Sequence, residues 1–277
     1  MKNYGDLETM INRTEQEAKI LTIDIETSPI VAYTWGPMWE ANLIKVIKEG
    51  NIMCYSAKWL NGNQVTKGLI DYKGYKKGIV NDSKIIKDIH RLLDEADIVV
   101  TQNGVAFDSK YITTRFIANG LQPPSPYKNV DTALAARRLL KLPSNALDNI
   151  GKYFGLGEKM EHEGFALWEK CMAGDIKAWR KMKEYNEQDV KLTEKVYLKL
   201  RPFMKTHPNV TAYQGVIPTK EKLPTGDCPK CGSDHTQGRG YATNSTTTYA
   251  RAQCQDCGGW YHYGKPVKRL FKPGINA

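Results

Sequence analysis

The sequence has no run of 18 or more apolar residues, and its polar first 19 residues lack the apolar core of a signal peptide. These absences argue against a membrane-spanning helix and a secretory leader. We therefore expect a cytoplasmic protein, made in a bacterium or in the host cell if a phage encodes it.

Acidic residues are in the minority, because 30 Asp and Glu stand against 40 Lys and Arg, which gives a net charge of +10. The isoelectric point is near 9.1. A basic excess favours polyanionic partners, nucleic acid first. Many soluble proteins are equally basic, so charge alone leaves this question open.

Alternating apolar and polar residues predict strands in the first part of the chain, and helical spacing takes over from residue 82. Predicted strands are residues 19–26, 30–35, 51–60, 65–70, 97–101 and 127–131, and predicted helices are residues 85–93, 108–118, 132–140, 146–154 and 174–200. Asp82 or Ser83 is expected to cap the first helix. The order favours an α/β fold with a mixed sheet flanked by helices.

Composition divides the chain into four predicted parts. Residues 1–18 are an N-terminal extension, and residues 19–204 form the mixed α/β domain. Residues 205–226 are rich in Pro, Thr, Lys and Gly, as expected for a linker. Residues 227–277 form a small cysteine-containing module with a basic tail.

Two carboxylates share the first strand. Asp24 and Glu26 are two residues apart, so both side chains project from the same face. A solvated sheet face would explain an isolated pair of this kind. Here the strand is predicted to be central, where unpaired charge is costly, so a bound cation is the competing explanation.

Other carboxylates follow on two further elements. Asp108 begins the helix that follows residues 103–107, where a plain helix cap is the alternative. Tyr185 and Asp189 lie one turn apart on the long helix, on a face with Trp179, Met182, Thr193, Val196 and Leu200. A tyrosine packed in the core beside an aspartate at its wet edge is the alternative there. Taken together, these oxygen ligands suit two Mg²⁺ or Mn²⁺ ions and phosphoryl displacement.

Three sequence motifs carry a resemblance to a known family. D-I-E at residues 24–26, N-G-x-x-F-D at residues 103–108 and Y-x-x-x-D at residues 185–189 resemble the motifs of the DEDD 3′–5′ exonuclease superfamily in order and separation. A tyrosine rather than a histidine in the third motif resembles the DEDDy subgroup. The similarity covers about residues 18–202, and residues 147–159 also resemble the helix and turn that such domains carry before the third motif.

The resemblance implies an RNase H-like fold and a site for two metal ions. In that site Asp24 would bridge both ions. Glu26 and Asp189 would complete the site of one ion, and Asp108 would hold the other. Tyr185, helped by Glu26, would orient the attacking water.

Residues near the second motif are expected to contact the substrate or to support the loop. The resemblance places Asn103 and Phe107 at the terminal nucleotides, Phe107 by stacking, although a buried core Phe is an equal alternative. Asp131 is expected to be structural and to cap the helix that begins at Thr132.

Cysteine is also scarce, but four of the six residues form two C-x-x-C pairs. Cys228 and Cys231 are separated by 22 residues from Cys254 and Cys257, and a glycine follows each pair. Two such turns complete a tetrahedral site for one structural Zn²⁺, and the stretch between them suits a β-hairpin, so the module is similar to zinc ribbons. A redox or disulfide role is the less favoured alternative in a reducing compartment.

Basic and aromatic residues crowd the cysteine module. They are Arg239, Arg251, Lys265, Lys268, Arg269 and Lys272, with Tyr241, Tyr249, Trp260, Tyr261 and Tyr263. The combination suits single-stranded nucleic acid. The aromatic residues could equally form the small core of the module, and docking on a protein is a third possibility.

The leading hypothesis is a metal-dependent 3′–5′ exonuclease that hydrolyses single-stranded DNA in replication, proofreading or repair. An RNase D-like enzyme acting on RNA and a catalytically silent nucleic-acid-binding protein are the alternatives. A chain of 277 residues has no room for an added polymerase domain, so a polymerase or replication protein would be a separate partner.

Overall fold

A computed structural model describes residues 18–36, 42–78, 81–213, 225–244 and 246–269. One compact unit is Lys19–Tyr197, and a second contains the residues from Leu198 onward. Nearly all of the predicted N-terminal extension, residues 214–224 of the predicted linker and Lys272 lie outside the described residues. Among the described helices, none combines the length and the hydropathy needed to cross a membrane.

The first unit is built on a five-stranded mixed sheet. In chain order the strands of this unit are β1 (Ile20–Thr27), β2 (Val31–Thr34), β3 (Leu43–Lys48), β4 (Ile52–Trp59), β5 (Gln64–Gly68), β6 (Ile98–Thr101) and β7 (Lys128–Asp131). The sheet order is β5, β4, β1, β6, β7, and β2 pairs with β3 in a separate two-stranded sheet. The strand with the carboxylate pair, β1, is therefore the central one. It runs antiparallel to β4 on one side and parallel to β6 on the other.

Six helices accompany the sheet in the described part of the first unit. They are α1 (Ile85–Glu95), α2 (Asp108–Ala118), α3 (Thr132–Leu139), α4 (Leu147–Tyr153), α5 (Phe165–Met172) and α6 (Ile176–Leu200), whose last residues belong to the second unit. The predicted mixed sheet with flanking helices is therefore confirmed. The sequence patterns did not single out β3 or α5, because both are short and lack a sustained period.

The expected cap of α1 is wrong. No side chain caps this helix, which follows Lys84 directly. The Asp82 carboxylate is 1% exposed and instead accepts hydrogen bonds from the Nε and Nη2 atoms of Arg115, each at 2.7 Å, and from the Ile52 N–H at 3.1 Å. The carboxylate that was expected to cap α1 thus forms a buried ion pair between the segment before α1 and Arg115 of α2.

The two faces of β1 have different environments. Leu21, Ile23 and Ile25 are buried in one apolar cluster with residues of α1, α2, α5 and the start of α6. Asp24 and Glu26 project from the opposite face, as strand alternation requires. The inward face predicted for the long helix is also confirmed, because every residue assigned to it is buried.

The second unit contains a three-stranded antiparallel sheet. Its strands are β8 (Thr236–Thr243), β9 (Thr247–Cys254) and β10 (Trp260–Arg269), in the order β10, β9, β8. The hairpin predicted between the two cysteine pairs is the β8–β9 hairpin. The third strand follows the second cysteine pair and was not predicted.

Helix α2 offers a matched test of the core. Ile112 is 3% exposed and belongs to the apolar cluster, whereas Ile117 on the same helix is 73% exposed. We expect Ile112→Ala to lower the free energy of unfolding by about 2–5 kcal/mol and Ile117→Ala to change it by less than about 0.5 kcal/mol. Urea unfolding of both variants checks this, and similar losses in the two would contradict the packing described.

Candidate functional site

Three carboxyl groups from two elements meet beside the central strand. Asp24 and Glu26 lie on the same face of β1, and Asp189 reaches them from α6. One oxygen from each of the three lies within 4.8 Å of the others. The structure thus brings together the first and third motifs, which are more than 150 residues apart in the sequence.

Burial and mutual repulsion raise the pKa values of these acids. Burial raises the pKa of Asp24 well above its usual range, and the carboxyl groups of Asp108 and Glu26 raise it further. Burial, with Asp189 close by, raises the pKa of Glu26 to about 8. Burial also raises the pKa of Asp189, although the Lys159 ammonium opposes that shift. Negative charge at this point therefore costs free energy until a cation neutralises it.

Asp108 lies next to this group without being part of the set of three. Its Oδ1 atom accepts a hydrogen bond at 3.2 Å from the N–H of Ile25, which lies on β1. Burial raises its pKa to about 6, and this backbone hydrogen bond limits the rise. The alternative of a helix cap is wrong, since Phe107 occupies the cap position and Asp108 is the first residue of α2.

The donor set fits hard divalent cations. The Oδ1 atom of Asp189 is buried and has no hydrogen-bond partner among the described residues. Its Oδ2 atom lies 2.7 Å from the Nζ atom of Lys159. A cluster of carboxylate oxygens with one unsatisfied buried atom suits Mg²⁺ or Mn²⁺, so these residues could hold such ions.

Two polar residues that orient the carboxylates were not assigned a role from sequence. The Asn186 Nδ2 atom donates a hydrogen bond to Asp24 Oδ2 at 2.6 Å, and the Asn186 side chain is fully buried. Lys159 pairs with Asp189 and comes from the turn that follows α4. Asn186 follows Tyr185 directly, so its place inside the third motif was the signal available from the sequence. Lys159 ends the segment 147–159 that resembles the family, but its role could not be assigned from sequence, because its partner lies on another element.

The Tyr185 ring is held between two side chains at the edge of the site. The Lys159 Nζ atom lies 4.9 Å from the ring centroid, and the His162 ring meets it edge-on at a centroid distance of 4.7 Å. Burial, reinforced by the nearby Asp189 carboxylate, raises the pKa of the Tyr185 phenol. The hydroxyl is therefore protonated at neutral pH and can donate a hydrogen bond.

A cavity of about 450 Å³ opens onto the carboxylates. It is lined by Asp24, Gln102, Asn103, Ala133, Arg137, Asn145, Ala146, Leu147, Lys159 and Asp189. The Arg137 Nη2 atom donates to Asn103 Oδ1 at 3.1 Å, so a guanidinium accompanies the predicted Asn103 in the wall. Cations beside acids in one open cavity favour a ligand that carries phosphate.

Phe107 and Asp131 each test an expectation from the sequence. Phe107 is 45% exposed and contacts the Tyr111 ring at 5.7 Å, so the reading of Phe107 as plain core is wrong. Asp131 caps α3 by accepting a hydrogen bond from the Leu134 N–H at 3.0 Å. It also accepts from the Asn103 N–H, which ties the second-motif loop to α3.

The second unit holds a separate cluster of four thiols. Sγ atoms of Cys228, Cys231, Cys254 and Cys257 all lie within 4.8 Å of one another. Each pair forms a tight turn closed by the following glycine, with a φ of 82° at Gly232 and 75° at Gly258, conformations that favour glycine. Four sulfur ligands of this arrangement fit a closed tetrahedral metal site, of the kind that Zn²⁺ occupies in proteins.

Divalent cations should stabilise the wild-type chain more strongly as the pH rises. In the folded, metal-free protein these acids have higher pKa values than in the unfolded chain. Their ionisation therefore costs stability, and the free energy of unfolding should fall as the pH rises toward about 8. Protons compete less with the metal over the same range. At pH 8 we expect saturating Mn²⁺ to raise the Tm by about 5 °C or more.

Thermal unfolding of two variants checks this prediction. Asp189→Asn should lose most of the Mn²⁺-dependent gain, while Glu169→Gln, which changes an exposed carboxylate on α5, should keep it. Equal gains in the two variants would exclude the carboxylate cluster as the metal site.

The cysteine cluster makes its own prediction about metal content. We expect one Zn²⁺ per wild-type chain and a loss of that zinc in Cys254→Ser. His235 is the matched control, because its ring lies near the cluster but contacts Asp256 at 3.0 Å. Elemental analysis of His235→Ala should give the wild-type zinc content; a loss there would implicate the imidazole as a ligand.

No curated protein matches this chain. The family B DNA polymerase from the hyperthermophilic archaeon Pyrobaculum calidifontis is similar, with 19% identity and a TM-score of 0.49, over 68% of this chain and 25% of that chain. The chain thus spans about a quarter of that polymerase.

A family model described as the RNase_H superfamily matches residues 47–201, more than half of the chain. The matched range includes Asp108, Tyr185 and Asp189, and β1 with its carboxylate pair lies before it. The expected RNase H-like fold is thereby confirmed, and the chain belongs to the RNase H superfamily.

Proposed function

We propose that the chain is a metal-dependent 3′–5′ exonuclease of the DEDDy type that hydrolyses phosphodiester bonds at the 3′ end of single-stranded DNA. One observation carries the proposal: oxygens of Asp24, Glu26 and Asp189 crowd within 4.8 Å, and one buried Asp189 oxygen has no partner in the described residues. Such a cluster is costly unless cations occupy it.

Asp24, Glu26 and Asp189 would hold one ion, and Asp24 with Asp108 would hold a second. When bound, two divalent ions neutralise the acids and stabilise the charge that develops on the attacking and departing oxygens of an in-line displacement. Asn186 has a supporting role, because its amide fixes the orientation of the Asp24 carboxylate. The Ile25 N–H does the same for Asp108.

Tyr185 would orient the attacking water through its hydroxyl group. Contacts with Lys159 and His162 restrict the ring, which lowers the entropy cost of holding the water in line. Glu26 would help Tyr185 to orient this water. Lys159 would place positive charge beside the phosphate as negative charge builds there.

The terminal nucleotide would lie in the cavity beside these acids. Arg137 and Asn103 form a hydrogen-bonded pair in its wall and offer donors for a phosphate oxygen. Phe107 offers an exposed ring, paired with Tyr111, on which a base can stack. A single strand fits better than a duplex, because stacking on a side chain needs an unpaired base.

We propose replication, proofreading or repair as the setting, with a polymerase or replication protein as a separate partner. An RNase D-like exoribonuclease could use the same acids, because they contact phosphate and water rather than the sugar. The 2′-hydroxyl is the group that separates the two substrates. RNA is therefore the second arm of the test.

Shortening of 5′-labelled oligonucleotides tests the proposal directly. With Mg²⁺ or Mn²⁺ we expect wild-type protein to remove nucleotides from the 3′ end of single-stranded DNA faster than from RNA of equal sequence. Asp24→Asn should abolish the reaction, and Tyr185→Phe should slow it about 100-fold or more, since only the water-orienting hydroxyl is lost.

Glu169→Gln is the control, since this exposed carboxylate lies outside the site. It should cleave at the wild-type rate. Faster cleavage of RNA than of DNA would make RNA the proposed substrate, and the proposed hydrolysis at the carboxylate cluster would stand. Folded wild-type protein that leaves both substrates intact with either ion would overturn the exonuclease proposal and favour a silent binding protein.

A further inference from the structure

The three-stranded sheet of the second unit has one partly covered face and one open face. Ala252 is buried on the partly covered face, and the hydroxyl of its cross-strand partner Tyr261 donates to the Gly226 carbonyl at 3.2 Å. Strand alternation places the neighbours of these two residues on the other side. We define the open face by Tyr249 and Arg251 of β9 together with Trp260 and His262 of β10.

Planar side chains on the open face are already stacked in pairs. The Tyr249 and His262 rings lie parallel within 5°, with centroids 5.1 Å apart. The Arg251 guanidinium lies 4.9 Å from the centroid of the Trp260 ring, and its Nε atom donates to the Arg239 carbonyl at 2.9 Å. Trp260 is still 45% exposed. Rigid planar groups lose little side-chain entropy when another flat group stacks on them.

The charged side chains of the three strands are all cationic. Strands β8, β9 and β10 contain no Asp or Glu, and their cations are Arg239, Arg251, Lys265, Lys268 and Arg269. Acids of the described module are Asp227, Asp234 and Asp256, which lie in or beside the cysteine turns. The sheet is therefore complementary to a polyanion, and the cysteine end is not.

The side chains of the open face favour a nucleic acid over a protein as its ligand. Residues 225–269 contain no Leu, Ile, Met or Phe. The rings and guanidinium group of this face stand among cations with no acid on the three strands, which is what unpaired bases and phosphates contact. Bases in a duplex are already stacked on one another and cannot use such rings.

We propose that this open face is a binding site for single-stranded nucleic acid, separate from the carboxylate cluster. Bases stack on Trp260 and on the Tyr249–His262 pair, and the surrounding Lys and Arg side chains contact the phosphates. The contacts involve bases and phosphates and no sugar hydroxyl. DNA and RNA of equal sequence therefore bind this face with similar affinity.

The test is fluorescence anisotropy with the full zinc-loaded chain carrying Asp24→Asn, without added Mg²⁺ or Mn²⁺, so that the probe stays intact. The probes are labelled 20-nucleotide dT, rU and duplex DNA. Trp260→Ala should weaken binding of dT and rU about tenfold or more, and Trp260→Phe should restore most of it. The duplex should bind more weakly than either single strand, and added salt should weaken all binding.

Tyr241→Ala is the matched control, because Tyr241 is 63% exposed but pairs with Ala250 on the other side of the same sheet. It should bind both single strands as the parent does. Unchanged binding in Trp260→Ala, an equal loss in Tyr241→Ala, or a preference for duplex would overturn the proposal. Zinc content and circular dichroism confirm that each variant is folded. This experiment measures binding and not hydrolysis, so its result does not depend on whether the exonuclease proposal is correct.

Discussion

Repulsion among buried carboxylates is the constraint on which the first unit depends. Asp24 and Glu26 occupy the central strand, and Asp189 faces them from α6, so three acids crowd at one point of the site. Burial raises the pKa of each of them. A chain optimised for stability alone would place apolar residues there, so the arrangement indicates a site that trades stability for cation binding.

The surrounding residues orient these acids without neutralising them. Asn186 and the Ile25 N–H each fix one carboxylate by a single hydrogen bond, and among the described residues Lys159 is the cation paired with one of the three acids. One cation opposite three acids leaves the site negative. The helices and strands therefore hold the acids rigidly and leave the balance of charge to ions from solution, which suits a site that must also release a charged product.

The two units of this chain present different ligand chemistry. Carboxylate oxygens in an open cavity suit hard ions that exchange and keep water, whereas four thiols in closed turns suit a structural Zn²⁺. A sheet as small as β8–β10 has little apolar area to bury, and its aromatic residues are divided between its two faces. A bound metal would then supply stability that a hydrophobic core supplies in a larger domain.

Local patterns in the sequence determined most of the strands, the buried face of the long helix, the three acidic motifs and the four cysteines, because each depends on spacing within a few residues. Only the tertiary structure decided the partners of those groups. Lys159, Asn186 and Arg137 join the site across long separations in the sequence, and Asp82 binds Arg115 of α2 rather than capping α1. The exposure of Phe107 and the open face around Trp260 likewise follow from how elements pack, and no local period encodes that.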